Sequence, residues 1–325
     1  MNIFENIKLK HMARGFENGF FKCDQCSYKN TMSGPAPLSV VQCEKCGYGN
    51  FVPVKIGGFW LFEPLGGGGM GSVYKGFNAG LGGLCAVKVL PRDGRGNPEF
   101  IEDLERESGV LKTIGNHRNI VRLAAAGNDG DELYCAMEFI NGSLLSTLIE
   151  DCRELPEARV LEILMDLLAA EKHIFSKGFL YRDIKPQNVM IRNDGSAVLF
   201  DFGVCLPVYE AAEPPAGDLV EGSPFYLPPE RMWRSGEGQE SEIYSLGMVA
   251  YHALTGKTFF KSQDDAEKLA KKHASGLRVT ITHAMMPQCS RELVVMLEKM
   301  IRKEPEERFQ TFEELETEIR KIIKK

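Results

Sequence analysis

The rhythm of hydrophobic and polar positions changes three times along the chain. From Ile3 to Phe21 apolar residues recur at roughly helical spacing; at the end of a chain this predicts a frayed terminus, with a docking helix as the alternative. At Phe59 an apolar run, FWLFEPL, meets four glycines, Gly66 to Gly69, and continues as an alternating run from Ser72 to Phe77. That order predicts strand, loop, strand, with the glycines as a flap tipped by Met70. CAVKVL (Cys85 to Leu90) reads as a further strand, and Asn97 to Ile114 as a Glu-rich helix. LYCAMEFI (Leu133 to Ile140) is a buried strand leading to Asn141 and Gly142, after which helical patterns dominate. The terminal EELETEIRKIIKK is an amphipathic helix whose C-terminal cations suit the helix dipole.

The longest apolar stretches, Val160 to Ala170 and Leu246 to Leu254, contain Glu, Asp or His and fall short of the roughly 18 residues of a membrane span. Glu5 and Glu17 interrupt the first twenty residues, which carry no secretory pattern. The expectation is a cytoplasmic protein without a membrane span. With 43% hydrophobic and 26% charged residues, disordered and fibrous classes are excluded, and 325 residues allow one large domain with an appendage. Charge is uneven: residues 1–58 carry seven Lys/Arg against four Asp/Glu, and residues 59–325 carry 32 against 41. An acidic main domain argues against nucleic acid as its partner.

The cysteines add a second domain. KCDQCSYKN (Lys22 to Asn30) returns twenty residues later as QCEKCGYGN (Gln42 to Asn50), so Cys23, Cys26, Cys43 and Cys46 form two CxxC pairs. Each pair suits a tight turn with backbone N–H groups aimed at the thiolates, a turn for which Gly47 is well adapted and Ser27 less so. C-x2-C-x16-C-x2-C is four-cysteine Zn2+ spacing and resembles the zinc ribbons. A module of about thirty residues cannot bury enough apolar surface alone, so the metal would supply its stability. Either zinc only supports the module, or the module docks protein or nucleic acid through Tyr28, Lys29, Lys45, Tyr48 and Phe51, with a redox or iron role as the remaining reading. The other five cysteines, with Cys85, Cys135 and Cys205 near the chemistry, read as buried fillers, and His173 and His252 as core histidines.

In the large domain Gly66, Gly68 and Gly71 give G-x-G-x-x-G, followed by a strand rather than the helix a dinucleotide fold requires. Glycines there let backbone N–H groups approach phosphate oxygens. A lone Lys88 on an apolar strand needs a partner, and Glu107 is the candidate, with Glu102 and Glu105 as rivals. YRDIKPQNVMI (Tyr181 to Ile191) then precedes DFG at Asp201 to Gly203. With AVK, a PPE ending at Glu230 and the late Arg308, these motifs resemble the eukaryotic-like protein kinases, in a bacterial type, over roughly four-fifths of the chain.

The resemblance implies an α+β, bilobal protein-kinase fold: an N-lobe at 59–140, a C-lobe at 141–325, a zinc ribbon at 22–52 and an N-terminal segment at 1–21. It implies a Ser/Thr protein kinase using ATP and Mg2+, because Lys185 follows Asp183 by two residues and Gly222, Ser223 and Pro224 agree with that class. By position, Lys88 would bind the α/β-phosphates and pair with Glu107. Asp183 would take or orient the hydroxyl proton, Lys185 would stabilise the moving phosphoryl group, and Asn188 and Asp201 would hold Mg2+. Leu65, Val73, Ala86, Met137, Glu138, Ile140 and Met190 would surround the nucleotide, with Met137 as gatekeeper. The substrate would be a protein Ser/Thr hydroxyl. A pseudokinase scaffold working through the ribbon and a small-molecule kinase are the rivals; the filled catalytic positions oppose the first, and the Lys185, PPE and Arg308 set the second.

Three departures stand out. Tyr181 replaces a more common His, Phe309 a typical Pro, and Glu242 an Asp that usually braces the catalytic loop; the extra methylene calls for a small backbone shift. Residues 204–222 contain no Ser or Thr, so Glu210, Glu213, Asp218 or Glu221 is expected to give Arg182 the fixed negative partner that a phosphate would otherwise supply.

Overall fold

A computed structural model describes residues 3–68, 71–90, 96–214, 223–260 and 280–324. The flap tip at Gly69 and Met70, together with Asp218, Glu221 and Gly222, lies outside them. The chain forms two compact units, one of residues 1–109 and 122–140, the other of residues 110–121 and 141–325.

The first unit begins with α1 (Ile3–Glu17), followed by two small hairpins, β1 (Phe20–Lys22) with β2 (Lys29–Thr31), and β3 (Val40–Gln42) with β4 (Gly49–Phe51). The helix is formed and docked, not frayed. Phe16 packs on Trp60 and Phe62, and the Asn6 side chain donates to the Gly82 carbonyl. Burying an aromatic residue outweighs the fraying of a short terminal helix, a contact the local pattern alone could not reveal.

An antiparallel sheet follows: β5 (Val54–Ile56), β6 (Phe59–Gly68), β7 (Gly71–Asn78), β8 (Gly83–Val89), β9 (Leu123–Asp129) and β10 (Glu132–Glu138), in the order β5-β6-β7-β8-β10-β9. The hairpin of β6 and β7 pairs out to Gly68 and Gly71, strand–loop–strand as the glycines predicted. Along β8, Cys85, Val87 and Val89 point into a core with Ile56, Phe59, Leu61 and Ala136, and Leu38 packs on it from the connection between the small hairpins. Period-two alternation turns Ala86 and Lys88 to the other face. Helix α2 (Pro98–Ile114) connects β8 to β9.

The second unit is mainly helical. It contains β11 (Gly142–Leu144), α3 (Leu145–Cys152), α4 (Glu157–Ser176), β12 (Phe179–Leu180), β13 (Val189–Arg192), β14 (Ala197–Leu199) and β15 (Leu206–Pro207). Then come α5 (Val208–Ala211), α6 (Pro229–Trp233), α7 (Gln239–Thr255), α8 (Arg291–Met300) and α9 (Phe312–Ile323). Helix α7 is buried almost all round, as the core helix of a large lobe must be. Its Gly247 admits the end of α8, since a Cβ there would lie 2.7 Å from Ile301 and 2.9 Å from Met300. Ser290 caps α8 and Thr311 caps α9, each accepting from the amide three residues on. Lys172 ties α4 to Glu313 and Glu316 of α9.

Candidate active site and cysteine cluster

In the first unit Lys88 donates to Glu107 Oε2 at 2.7 Å, so the helix carboxylate that meets it is Glu107. Glu107 is 1% exposed, and burial strengthens the hold on the ammonium group that a strand lysine requires. Register places Val73 beside Lys88 and Met137 beside Ala86, while Gly66 pairs with Val73. Met137 and Ile140 are buried, Glu138 is partly so, and Leu65 is exposed. The Glu138 amide donates to the Arg122 carbonyl.

The second unit gathers the remaining expected residues around a loop after β12. Lys185 Nζ reaches Asp183 Oδ2 at 2.6 Å, and Asn188 Nδ2 reaches the same oxygen at 2.7 Å and the Asp183 carbonyl at 3.0 Å. The turn Pro186–Asn188 brings Asn188 back onto Asp183, five residues away. Burial pushes the Asp183 carboxyl up, against Lys185 and Asn188, which pull it down. β13 and β14 pair, placing Met190 opposite Val198 and carrying the chain to Asp201. Arg182 and Asp201 both take left-handed backbone, at φ 71° and 67°, a strained state for residues with a Cβ. An amide oxygen and a carboxylate, Asn188 and Asp201, are the hard donors that suit Mg2+.

Around this loop the departures acquire roles. Tyr181, fully buried, donates to the Phe200 carbonyl at 2.6 Å and packs edge-on to Phe202. Glu242 Oε1 accepts from the Arg182 amide at 2.9 Å, so the longer side chain makes the brace. Arg308 and Glu230 form a two-pronged pair at 2.7 and 2.8 Å, with Arg308 over the Tyr244 ring and Ser241 donating to Glu230.

Among the described residues the partner of the Arg182 guanidinium is neither Glu210 nor Glu213, and Asp218 and Glu221 lie outside them; the guanidinium donates twice to Glu237 Oε1, at 3.1 and 2.8 Å. Glu237 Oε2 accepts from Arg231, which also reaches the Arg182 carbonyl at 2.6 Å. Burial would raise Glu237, but the two guanidinium groups overcome it and hold the carboxyl below the usual range. Glu237 lies in the turn before α7, beyond residues 204–222, and only the folded loop carries it to Arg182.

The four cysteine sulfurs lie within 4.8 Å of one another, with Cys23 and Cys46 at 3.6 Å and Cys26 and Cys43 at 3.7 Å. Tetrahedral thiolates at the usual Zn–S length stand about 3.8 Å apart, so the donor set fits zinc. Burial pushes the Cys43 thiol up, yet the amides of Cys46 and Lys45 outweigh it and bring it down to about 6. The amide of Tyr48 lowers Cys46, but burial and three neighbouring sulfurs push it up to about 12. Four such sulfurs hold their negative charge together only beside a cation. The repeated asparagines lock the two turns reciprocally: Asn50 Oδ1 accepts from the Asp24 amide and Asn30 Oδ1 from the Glu44 amide. Phe51 packs on Tyr74, making it part of the contact with the sheet. Cys85, Cys135 and Cys205 are buried, and burial raises the thiols of Cys85 and Cys135.

Residues 59–318 match the protein kinase domain family. The chain belongs to the protein kinases. Among its relatives, the probable serine/threonine-protein kinase PknB of Lactococcus lactis is 30% identical over 80% of this chain and 41% of its own length. The serine/threonine-protein kinase pkn2 of Myxococcus xanthus is 32% identical over 80% of this chain and 32% of its own. PrkC of Bacillus subtilis is 29% identical over 81% of this chain and 40% of its own. The kinase thus spans about two-fifths or less of the length of these relatives. Among the described residues no helix is long and apolar enough to cross a membrane.

Proposed function

We propose that this kinase transfers the γ-phosphoryl group of ATP to Ser or Thr hydroxyls of proteins, with residues 59–325 as the catalytic domain and 22–52 as a zinc ribbon. The observation that carries this is the Asp183 carboxylate held by both Lys185 and Asn188. Lys88, fixed by Glu107, supplies a cation to the α/β-phosphates, and Gly66, Gly68 and Gly71 let backbone approach them. Leu65, Val73, Ala86, Met137, Glu138, Ile140 and Met190 receive the adenine and ribose. Asp183 orients the acceptor hydroxyl and takes its proton as the new O–P bond forms and the bond to the ADP oxygen breaks. Lys185 offsets the charge spread over the transferring group. Mg2+, bound through Asn188 and Asp201, would neutralise the phosphate oxygens.

Glu237 replaces a loop phosphate as the partner of Arg182, so activity needs no phosphorylation of residues 204–222. The reduced four-cysteine set agrees with a cytoplasmic protein. For the ribbon we propose docking of an acidic protein segment. A groove of about 510 Å³ runs between α1, the first hairpin and β6, edged by Lys8, His11, Lys22 and Lys29 with Asp24 as its one acid, over a floor that includes Phe20 and Phe62. Its charge suits acidic segments, and its floor is closed by buried Phe16 and Phe21.

Purified protein incubated with Mg-ATP and a protein substrate is expected to incorporate phosphate, and Asp183→Asn to lose at least about a hundredfold of that rate. Equal transfer by wild type and variant would refute the catalytic assignment. ATP binding with no transfer by either would favour the scaffold that works through the ribbon.

A further inference from the structure

Helices α4 and α7 pack together in the second unit, and each brings a carboxyl group into its apolar interior. Glu171 of α4 is 1% exposed, and neither of its oxygens meets a hydrogen-bond partner among the described residues. Glu242 of α7 is equally buried; Oε1 holds the Arg182 amide, whereas Oε2 has no partner among the described residues. The charged groups acting on Glu242 are Arg231, Glu237 and Arg182, and Glu242 in turn acts on Glu171. The buried Tyr181 hydroxyl feels Asp183 and Asp201 ahead of Glu171, and Asp183 is itself paired with Lys185. Glu230 and Arg308 cancel each other as a separate pair.

Charge neutrality decides the state of this cluster. Arg182 and Arg231 supply two positive charges, while Glu171, Glu237 and Glu242 would supply three negative ones if all were ionised. An uncompensated charge in an apolar interior is costly, and a carboxyl there takes up a proton instead. Glu237 is held by both guanidinium groups, and Glu242 by an amide and by the arginine charges. Glu171 has no such support, so the proton belongs on Glu171.

We infer that Glu171 is a positioning residue that acts by carrying a proton: neutral, it stands near the Glu242 carboxylate without repelling it, and Glu242 keeps its hold on the loop bearing Asp183. This rests on the kinase activity proposed above and extends it to a group that touches neither substrate nor nucleotide. Burial, then the Glu242 charge, pushes the Glu171 carboxyl well up; burial likewise pushes Glu242 up to about 7, against Arg231. As pH rises the proton leaves, two carboxylates confront each other in low dielectric, and the brace on the Arg182 amide loosens.

Infrared difference spectroscopy on the wild-type protein tests this without requiring activity. A protonated-carboxyl carbonyl band that persists above the titration of Glu242 near pH 7 is expected, lost at higher pH and missing from that alkaline range in Glu171→Gln. In phosphoryl transfer, Glu171→Gln is expected within about twofold of wild type while the wild type keeps its proton, and several-fold faster at the alkaline pH at which the wild-type infrared band is lost. Glu171→Leu, neutral and apolar, serves as the second variant should Gln impair folding. Superimposable pH profiles, or folded neutral variants inactive at every pH while Glu171→Asp is active, would overturn the inference, as would a spectrum without the band. If no protein transfers phosphate, the proposed activity fails while the infrared band still decides the proton on Glu171.

Discussion

At the residue scale, conformation and charge explain why single positions carry particular side chains. Gly47 and Ser27 occupy equivalent turns of the cysteine repeat, both with left-handed backbone, at φ 73° and 57°. Only glycine adopts that region without a Cβ conflict, so the sequence already marks Ser27 as the poorer of the two. Ser27→Gly is therefore expected to stabilise the module by about 0.5–1 kcal/mol, read as a raised midpoint in thermal or chelator-induced unfolding. An unchanged or lowered midpoint would count against backbone strain at this turn. Lys88, Asp183, Lys185, Asn188 and Asp201 could be proposed from the sequence because phosphoryl transfer asks for both their type and their spacing. Glu237 and Glu171 could not, because an acid in a turn or on a helix reads as solvated until its surroundings are known.

At the element scale, the two CxxC hairpins are too short to hold themselves together, with three-residue strands and few side-chain bonds between them, from Asn30, Asn50 and the exposed Tyr28–Glu44 pair. Removing the metal with a chelator is expected to abolish hydrogen-exchange protection across β1 to β4 while the sheet of β6, β7, β8 and β10 keeps its own. The same treatment separates the two roles of the ribbon. Docking predicts a raised KM for an acidic protein substrate with kcat on a short peptide little changed; a purely supporting module would leave both KM values alike. Element types were plain in the sequence wherever period and turn chemistry agreed, as in the glycine hairpin and the capped helices α8 and α9. The terminal helix α1 was misjudged because its stability comes from Phe16 against Trp60 and Phe62, more than forty residues away in sequence.

At the scale of the whole molecule, buried charges give folding a pH dependence of two opposite signs. Glu237, lowered by its arginines, contributes stability above the ordinary carboxylate range that is lost as pH falls through its lowered value. Glu171 and Glu242 are raised, so their contribution is full below that range and is lost as pH rises, for Glu242 through about 7. The melting temperature should therefore peak near the ordinary carboxylate range, about pH 4.5, and decline toward neutral and alkaline pH, and Glu171→Gln should flatten that decline. A melting temperature that climbs steadily to pH 9 in the wild type would contradict a protonated Glu171.

The sequence by itself determined the family and the metal-type cysteine spacing and marked the residues proposed for phosphoryl transfer, because each depends on local spacing or on a particular side-chain chemistry. Only the tertiary structure decided which carboxylate serves which cation. Arg182 meets Glu237 across 55 positions, and Glu242 braces it across 60. Several acids were chemically equivalent candidates along the chain, and burial in a common low-dielectric interior selects among them: there each charge must be matched by another or neutralised by a proton.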